Sequence, residues 1–402
     1  MILRGKKAIL CITLALQILV LFNFHPARCQ ANQPHIQALE PIQVGFPKFR
    51  DDLGFKLLAL AIRRNLSYLE RLDPDHVFFY GPDQIACHRV IDTQMLFLKI
   101  LSSRQPLEQL NKEIRRRFKI YRAAGTGSDR KVLFTGYYEP VYDAALKPND
   151  IYKYPIYRKP RDLVRVDLSL FDAKYGNESI VARIKNNQVL PYYTRFEIEI
   201  EKVLEGKNLE IAWLKDPMDV YLLHIEGAGR LKLPGGQTIL VSYDTSNGRP
   251  YRSFGKYLLE NGLLTRSELS IKRIRQYLSR HPAALTAILR HNDSYVFFKQ
   301  VREGPLGSID VPLTGGRSLA LDAALFPKGA LAFMSSKKPV VNRQGEIAGW
   351  SKFSRFVLNQ DTGYSIKGPG RADLFWGNDH KAETIAWRFT QQGDLYILIK
   401  KP

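Results

Sequence analysis

The spacing of hydrophobic residues changes once along the chain, from a helical period to a strand period. In segments 58–69 and 107–118, apolar residues recur every three or four positions, as they do on the buried face of a helix. Pro106 suits the first turn of the second segment, and Gly125 suits a stop after it. The first third of the chain after the N-terminal segment is therefore predicted to be helical.

From Lys131 onward the apolar residues fall in short runs separated by Gly, Pro and Asn. The runs that predict strands are "KVLFTGYYEP", "DVYLLHIEG", "GALAFM", "RFVLNQD" and "LYILIKK". A helical pattern interrupts them around "RSELSIKRIRQYLSRHP". Short strands at irregular spacing favour barrels over a doubly wound sheet, so the fold class is predicted to be mainly β with N-terminal helices.

The N-terminus has the layout of a secretory signal. Basic residues at positions 4, 6 and 7 precede an apolar run from Ala8 to Phe24, and small residues follow. We expect residues 1–31 to be a signal peptide, with a mature start between Cys29 and Asn32. An uncleaved anchor is the alternative, although the run is short for a bilayer span of about 20 residues. A lipid on Cys29 is a further alternative, for which Arg28 is a poor predecessor.

Composition bounds the remaining possibilities. A chain of 402 residues predicts two domains, and 45% hydrophobic residues with 11% aromatics exclude a disordered chain. The net charge of +21 indicates an anionic partner, and nucleic acid, lipid headgroups and bacterial wall polymers all fit. Three cysteines indicate no reliance on disulfides, and the eight histidines show no metal-binding spacing, so no metal or cofactor is predicted.

One acidic, glycine-containing stretch stands out in this basic chain, "QDTGYSIKGPGRADLFWGND" from Gln360 to Asp379. The preceding apolar run would hold Asp361 at the end of a strand. Asp373 adjoins Phe375 and Trp376, and burial beside aromatic rings raises the pKa of a carboxyl, while a tryptophan at a cleft offers a stacking face for sugars. The alternative is that these aspartates only cap turns.

The same stretch argues against nucleotide and nucleic-acid partners. "GYSIKGPG" lacks the GxxxxGK[ST] order of a phosphate-binding loop. It also lacks the interleaved basic and aromatic residues of an RNA-binding signature. No nucleic-acid partner is therefore predicted.

The stretch resembles the 3D domain, which is named for three aspartates, and six further motifs resemble the membrane-bound lytic murein transglycosylase A family in the family's order. The motifs are "FTGYYEP" (134–140), "YPIYRKP" (154–160), "IEGAGRLKLPGG" (225–236), "NGRPYRSFGKYL" (247–258), "SYVFFK" (294–299) and "VPLTGGRSLALD" (311–322). Together they span nearly the whole chain after the N-terminal segment.

The resemblance implies an architecture. Residues 45–139 plus 301–402 would form a double-psi β-barrel catalytic domain, with the 3D motif at 355–400. Residues 140–300 would form an inserted second β-barrel domain, and a groove for a glycan strand would lie between the two. The protein would be exported to the periplasm or associated with the outer membrane, with wall-synthesis partners left open.

The resemblance also implies an activity. The chain would be a peptidoglycan lytic transglycosylase that cleaves the β-1,4 bond between MurNAc and GlcNAc without water and leaves 1,6-anhydroMurNAc ends. Asp373 would serve as acid and then as base, with Asp361 and Asp379 in support. A hydrolase needs two carboxylates, whereas attack by the sugar's own 6-hydroxyl needs only one group with a pKa near 7.

Several residues are expected to contact the glycan on the same ground. They are Thr135, Gly136, Tyr137, Tyr138, Gly227, Gly229, Tyr251, Arg252, Ser253, Arg317 and Lys367. The chain departs from the family pattern at Glu226, where Gln is usual, and in "VSYDTSNGRP". Two other functions remain open: a wall hydrolase that pairs Asp373 with Asp361 or Glu139, and a noncatalytic glycan-binding barrel.

Overall fold

The structure is a computed structural model that describes residues 38–176, 178–265, 271–342 and 346–402. The predicted signal peptide lies outside the described residues, as does the first part of the predicted helical interlude, 266–270. None of the described helices combines the length and the hydropathy that crossing a bilayer requires. The described residues pack as one compact unit.

The helical periodicity of the first third corresponds to two observed helices, the first of which has the predicted bounds. The second ends at Arg117, and Phe118 already begins a strand. The described helices are α1 (Leu58–Leu69), α2 (Cys87–Ser102), α3 (Leu107–Arg117), α4 (Arg195–Glu199), α5 (Pro217–Glu226), α6 (Phe254–Glu260), α7 (Ile271–Arg280), α8 (Pro282–His291) and α9 (His380–Arg388).

Strands make up most of the remaining regular structure. They are β1 (Leu39–Ile42), β2 (Val77–Tyr80), β3 (Asp83–Ala86), β4 (Phe118–Ala123), β5 (Val132–Tyr137), β6 (Val141–Ala145), β7 (Tyr154–Tyr157), β8 (Leu163–Asp167), β9 (Ser179–Lys185), β10 (Gln188–Pro191), β11 (Glu210–Leu214), β12 (Ala228–Lys232), β13 (Thr238–Ser246), β14 (Val296–Val301), β15 (Ser318–Ala320), β16 (Leu331–Val341), β17 (Ile347–Asp361), β18 (Arg371–Phe375) and β19 (Thr390–Lys400).

Six strands close into a barrel in the order β5-β19-β16-β17-β15-β18, because β5 pairs with both β19 and β18. Strands β4 and β1 extend the sheet from β19. The barrel core is built by continuous buried runs, including residues 355–360 of β17 and 395–399 of β19. Helices α1 and α2 pack on its outside through a second apolar cluster around Phe97, Phe333 and Phe356. The prediction of a mainly β fold with a barrel is confirmed.

A second sheet has the order β14-β13-β12-β6-β11-β7, with its own core around Leu223, Val241 and Phe298. A bridge between Arg158 and Phe298 brings the two edges of this sheet together. A smaller sheet, β10-β9-β8, lies in the same part of the chain.

One predicted strand, "DVYLLHIEG", is wrong, because this segment forms helix α5. The Asp216 side chain accepts a hydrogen bond from the Met218 N–H, and Pro217 occupies the first turn, so the N-terminus is well capped. Gly227 ends the helix at φ 72°. The helix is buried almost all round, so its apolar residues show no helical spacing in the sequence.

Candidate active site

A groove with a volume of about 1440 Å³ runs along one side of the closed barrel and faces the second sheet. Its barrel side carries three of the predicted residues on strand β5 and two of the three aspartates of the 3D stretch, Asp361 and Asp373. The other side carries the C-terminal end of α5 and the loop before α6. Residues that line it include Thr135, Tyr137, Tyr138, Asp361, Asp373, Phe375, Glu226, Gly227, Arg249, Tyr251, Lys299 and Tyr364.

Asp361 and Asp373 lie on either side of one short strand. Ala320 of β15 is in register with Asp361 of β17 and with Asp373 of β18. Adjacent strands are about 4.8 Å apart, so the two Cα atoms are roughly 10 Å apart. Residues in register across a sheet point to the same face, and both side chains line the groove.

Asp373 has the surroundings of a carboxyl that is easily protonated. The Thr135 hydroxyl donates to its Oδ1 at 2.9 Å, and its strand neighbours Ala372 and Leu374 are fully buried in the barrel. Burial is the main cause that raises the pKa of Asp373, to about 7. The Thr135 bond and the charge of Arg371 oppose this rise, and the charge of Asp361 adds to it.

Asp361 is held by more donors than Asp373. Its carboxylate accepts bonds from the Tyr137 hydroxyl at 2.8 Å and from the backbone N–H groups of Thr362 at 2.9 Å and Ser308 at 3.0 Å. Burial raises the pKa of Asp361 to about 6, and these three bonds limit the rise. At neutral pH Asp361 is therefore mainly ionised while Asp373 is poised near half-protonation.

Glu226 is a third carboxyl in the groove, on the wall opposite the barrel. Its Oε2 accepts a long hydrogen bond of 3.4 Å from the Tyr138 N–H. Burial, together with the charges of Asp373 and Glu383, raises the pKa of Glu226 to about 8. From the sequence, Glu226 is recognisable only as a departure from the family pattern, and its place in the site was not predicted.

Most of the predicted contact residues on strand β5 lie in the groove, and the glycine among them has a packing reason. Gly136 runs so close to Trp376 that a Cβ atom would come within 2.5 Å of the indole Nε1. Trp376 itself packs against Phe353 and Phe389 in the barrel core. Phe375 lines the groove, with its ring 5.2 Å from that of Tyr137, so Phe375 rather than Trp376 adjoins the carboxylates.

Arg317 does not contact the groove, contrary to the prediction. Its side chain and that of Asp51 are both fully buried, and the guanidinium binds the carboxylate through two bonds of 2.5 and 2.9 Å. Two further bonds run to the carbonyls of Lys56 and Phe356. Arg317 therefore fastens the N-terminal segment to the barrel. Lys367, a further predicted cation, does line the groove.

Four further predicted residues lie outside the groove lining. Asp379 caps α9 by accepting a bond of 2.7 Å from the Ala382 N–H, and Ser253 caps α6. Gly229 is buried in β12, where a Cβ atom would meet a methyl group of Leu223 at 2.5 Å. Arg252 is exposed to solvent next to the groove residue Tyr251. The capping alternative thus describes Asp379 better than a role beside the acid.

Glu139, the other carboxylate considered for a hydrolase, is buried away from the groove. Its Oε2 accepts bonds from Arg230 at 2.7 Å and from Asn378 at 3.0 Å. Glu139 does not line the groove, which leaves Asp361 as the second carboxylate on the barrel wall. Within the described ranges no cluster of three or more His, Cys, Asp or Glu side chains could hold a metal ion.

Comparisons with known proteins agree with this architecture. A family model described as "MltA specific insert domain" matches residues 133–299, and one described as "3D domain" matches residues 317–399. The membrane-bound lytic murein transglycosylase A of Vibrio cholerae is 29% identical over 286 residues, which is 70% of this chain and 69% of that protein.

Solved structures give the same result for the fold. The membrane-bound lytic murein transglycosylase from Agrobacterium tumefaciens superposes with a TM-score of 0.73 at 27% identity, over 90% of this chain and 98% of that one. The Escherichia coli MltA structure with bound chitohexaose superposes with a TM-score of 0.66 over 91% and 96% of the two chains, and at 21% identity it bears on the fold alone.

The fold and these matches define the class, a protein that combines an insert of the MltA type with a C-terminal 3D domain. The chain carries both of these domains, it is similar over about 70% of its length to proteins named membrane-bound lytic murein transglycosylase A, and it is an enzyme. The resemblance drawn from the sequence motifs is confirmed.

Proposed function

We propose that this enzyme is a peptidoglycan lytic transglycosylase that cleaves the β-1,4 bond between MurNAc and GlcNAc without water and leaves 1,6-anhydroMurNAc ends. Asp373 acts first as the acid and then as the base. The observation that carries this proposal is the position of Asp373 on the groove wall, bonded to Thr135 and with a pKa of about 7.

A pKa near the working pH suits a group that must both give and take a proton. In its protonated form Asp373 donates to the oxygen of the glycosidic bond as that bond breaks. The carboxylate then accepts the proton of the 6-hydroxyl as this oxygen attacks the anomeric carbon. The Thr135 bond favours the charged form and stabilises the carboxylate between the two transfers.

Asp361 supports the acid by position and charge. Its three hydrogen bonds fix the chain on either side of the groove, through Tyr137 of β5 and Ser308 of the loop after β14. Its negative charge contributes to the raised pKa of Asp373. If the enzyme were a hydrolase, Asp361 would have a second role and would activate a water molecule. The products distinguish hydrolysis from the water-free reaction.

We further propose that a glycan strand lies along the groove between two barrels. The Escherichia coli relative was solved with bound chitohexaose, and this groove offers hydroxyl, carboxyl and aromatic groups on both walls. Residues 45–139 plus 301–402 would then be a double-psi catalytic barrel and residues 140–300 the insert. The net charge of +21 suits export to an envelope rich in anionic wall polymers and lipids.

Digestion of purified peptidoglycan tests the proposal. The protein should release 1,6-anhydro muropeptides, and Asp373→Asn should release almost none while still binding the glycan. Products with reducing ends would support the hydrolase instead. Glycan binding without cleavage by either protein would support a noncatalytic barrel.

A further inference from the structure

Glu226 is presented to the groove by the end of helix α5. It is the last residue of the helix, and Gly227, with φ 72°, turns the chain sharply into β12. The carboxyl lies beside Tyr138, and the only hydrogen bond it receives among the described residues is the long one of 3.4 Å from the Tyr138 N–H. The side chain is partly exposed and lines the groove.

No cation among the described residues neutralises this carboxyl. The groups that influence it electrostatically are the carboxyls of Asp373 on β18 and Glu383 on α9. Glu226 in turn influences four phenols, which are those of Tyr137, Tyr138, Tyr142 and Tyr251. A negative charge at this place would be partly desolvated, unpaired and close to other carboxyls. The neutral carboxylic acid is favoured, and burial accordingly raises the pKa of Glu226 to about 8.

A protonated carboxyl carries one O–H donor besides its acceptor oxygen. The backbone N–H of Tyr138 already occupies Oε2 as an acceptor. The remaining O–H therefore has no partner among the described residues, on a groove wall that faces Asp373. Sugar hydroxyls and acetamido carbonyls are the acceptors that a glycan would bring to it.

We propose that Glu226 is a glycan-binding residue that works only in its protonated form, in which its O–H donates to a sugar oxygen next to the cleaved bond. The inference rests on the proposed function of the groove. Ionisation removes the donor and places an unpaired negative charge beside the sugar. Loss of one such hydrogen bond corresponds to a roughly three- to tenfold weaker affinity.

The structure offers a matched set of variants for a test. Glu226→Gln keeps the shape, the acceptor and a donor but cannot ionise, and Glu226→Ala removes both groups. We place each change in the Asp373→Asn background, which prevents cleavage and removes the ionisation of Asp373 itself. Because the charge of Asp373 adds to the pKa of Glu226, we expect the midpoint in this background to lie somewhat below 8.

The measurement is the affinity for chitohexaose by titration calorimetry between pH 7 and 9.5. Asp373→Asn should bind about three- to tenfold more weakly at the alkaline end. With Glu226→Gln added, the affinity should stay at the value measured at pH 7 over the whole pH range. With Glu226→Ala added, binding should be weak at every pH. Melting temperatures measured for each variant establish that it is folded.

The inference would be overturned by an affinity of Asp373→Asn that does not change with pH, or by the same alkaline fall in affinity when Glu226 is replaced by Gln. Tight binding by the Glu226→Ala variant would also overturn it. Because the readout is binding and not cleavage, it is independent of the reaction products. A hydrolytic product from the active enzyme would refute the proposed reaction and leave the role of Glu226 to be decided by these titrations.

Discussion

The hydroxyl of Thr135 donates a hydrogen bond of 2.9 Å to Oδ1 of Asp373 across the parallel pairing of β5 with β18. A bond to the ionised carboxyl lowers its pKa, so its removal should raise the pKa of Asp373 above 7. In a plot of cleavage rate against pH, we expect Thr135→Val to shift the fall at alkaline pH to higher pH. Thr135→Ser should leave this fall where it is. An unchanged fall in the valine variant would mean that the hydroxyl does not act on Asp373.

The rate of cleavage should follow the protonation of Asp373. With a pKa of about 7, kcat/KM is expected to be level below that pH and to fall about tenfold per pH unit above it. Ionisation of Glu226 should make kcat/KM fall more steeply above pH 8. Glu226→Gln should restore the tenfold fall per pH unit that one ionising group produces. A rate that keeps rising through pH 8 would exclude Asp373 as the acid.

Asp373 and Asp361, the two aspartates of the 3D stretch that line the groove, should differ in what they contribute to turnover. Asp373→Asn should lose at least about 10³-fold in turnover, because general acid and base steps each contribute about 10²- to 10⁴-fold. Asp361→Asn keeps the shape of the group that orders Tyr137 and Ser308, so its loss should be smaller. The measurement is turnover on purified peptidoglycan with both variants at equal concentration. Equal losses would indicate two catalytic carboxylates.

Replacing Asp373 should also stabilise the fold at high pH. Its folded-state pKa of about 7 lies above the ordinary value of 3.8, so its contribution to stability is complete below pH 3.8 and is lost as the pH rises through 7. Asparagine cannot ionise and avoids that loss. The melting temperature of Asp373→Asn relative to the unmodified protein should therefore rise from pH 4 to pH 8.

The control for this change is Asp150→Asn, because Asp150 is exposed to solvent. Its melting temperature should differ from that of the unmodified protein by the same small amount at both pH values. A stability gain for Asp373→Asn that does not depend on pH would show that burial does not act on the charge of this group.

The buried pair of Arg317 and Asp51 should matter for stability. Arg317→Met leaves the Asp51 carboxylate buried without its cation, which typically costs about 3–5 kcal/mol. The matched change is Lys367→Met, since Lys367 is 66% exposed and lies 3.9 Å from Asp322. Ion pairs that are exposed to solvent contribute about 0–1 kcal/mol to the free energy of unfolding. Urea unfolding of the two variants measures the difference, and similar midpoints would contradict the burial argument.

Much of the barrel could be predicted from the sequence because its strands are buried in continuous runs. Residues 356–358 and 395–399 are apolar runs, and each lies in a strand of the closed barrel. Helix α5 could not be predicted in this way, because a helix buried on nearly all sides shows no amphipathic period. Its capping residues, Asp216, Pro217 and Gly227, are the sequence signal that could have indicated a helix here.

The site was predictable where its side chains lie within recognisable sequence motifs. Asp361 and Asp373 were located in the motif that the structure brings to the groove. Ser308 contributes a backbone N–H, which leaves no mark on the residue type. Arg317 was misassigned because its partner, Asp51, is 266 residues away in the sequence, and a motif does not reveal which charge a cation will meet.

The most direct test of a water-free reaction by Asp373 is to digest purified peptidoglycan in water enriched in oxygen-18 and to weigh the products by mass spectrometry. We expect anhydromuramoyl products that are one water lighter than hydrolysis products and carry no heavy oxygen, and we expect these products to be nearly absent with Asp373→Asn. Reducing-end products that carry one heavy oxygen would contradict this expectation and would establish a two-carboxylate hydrolase.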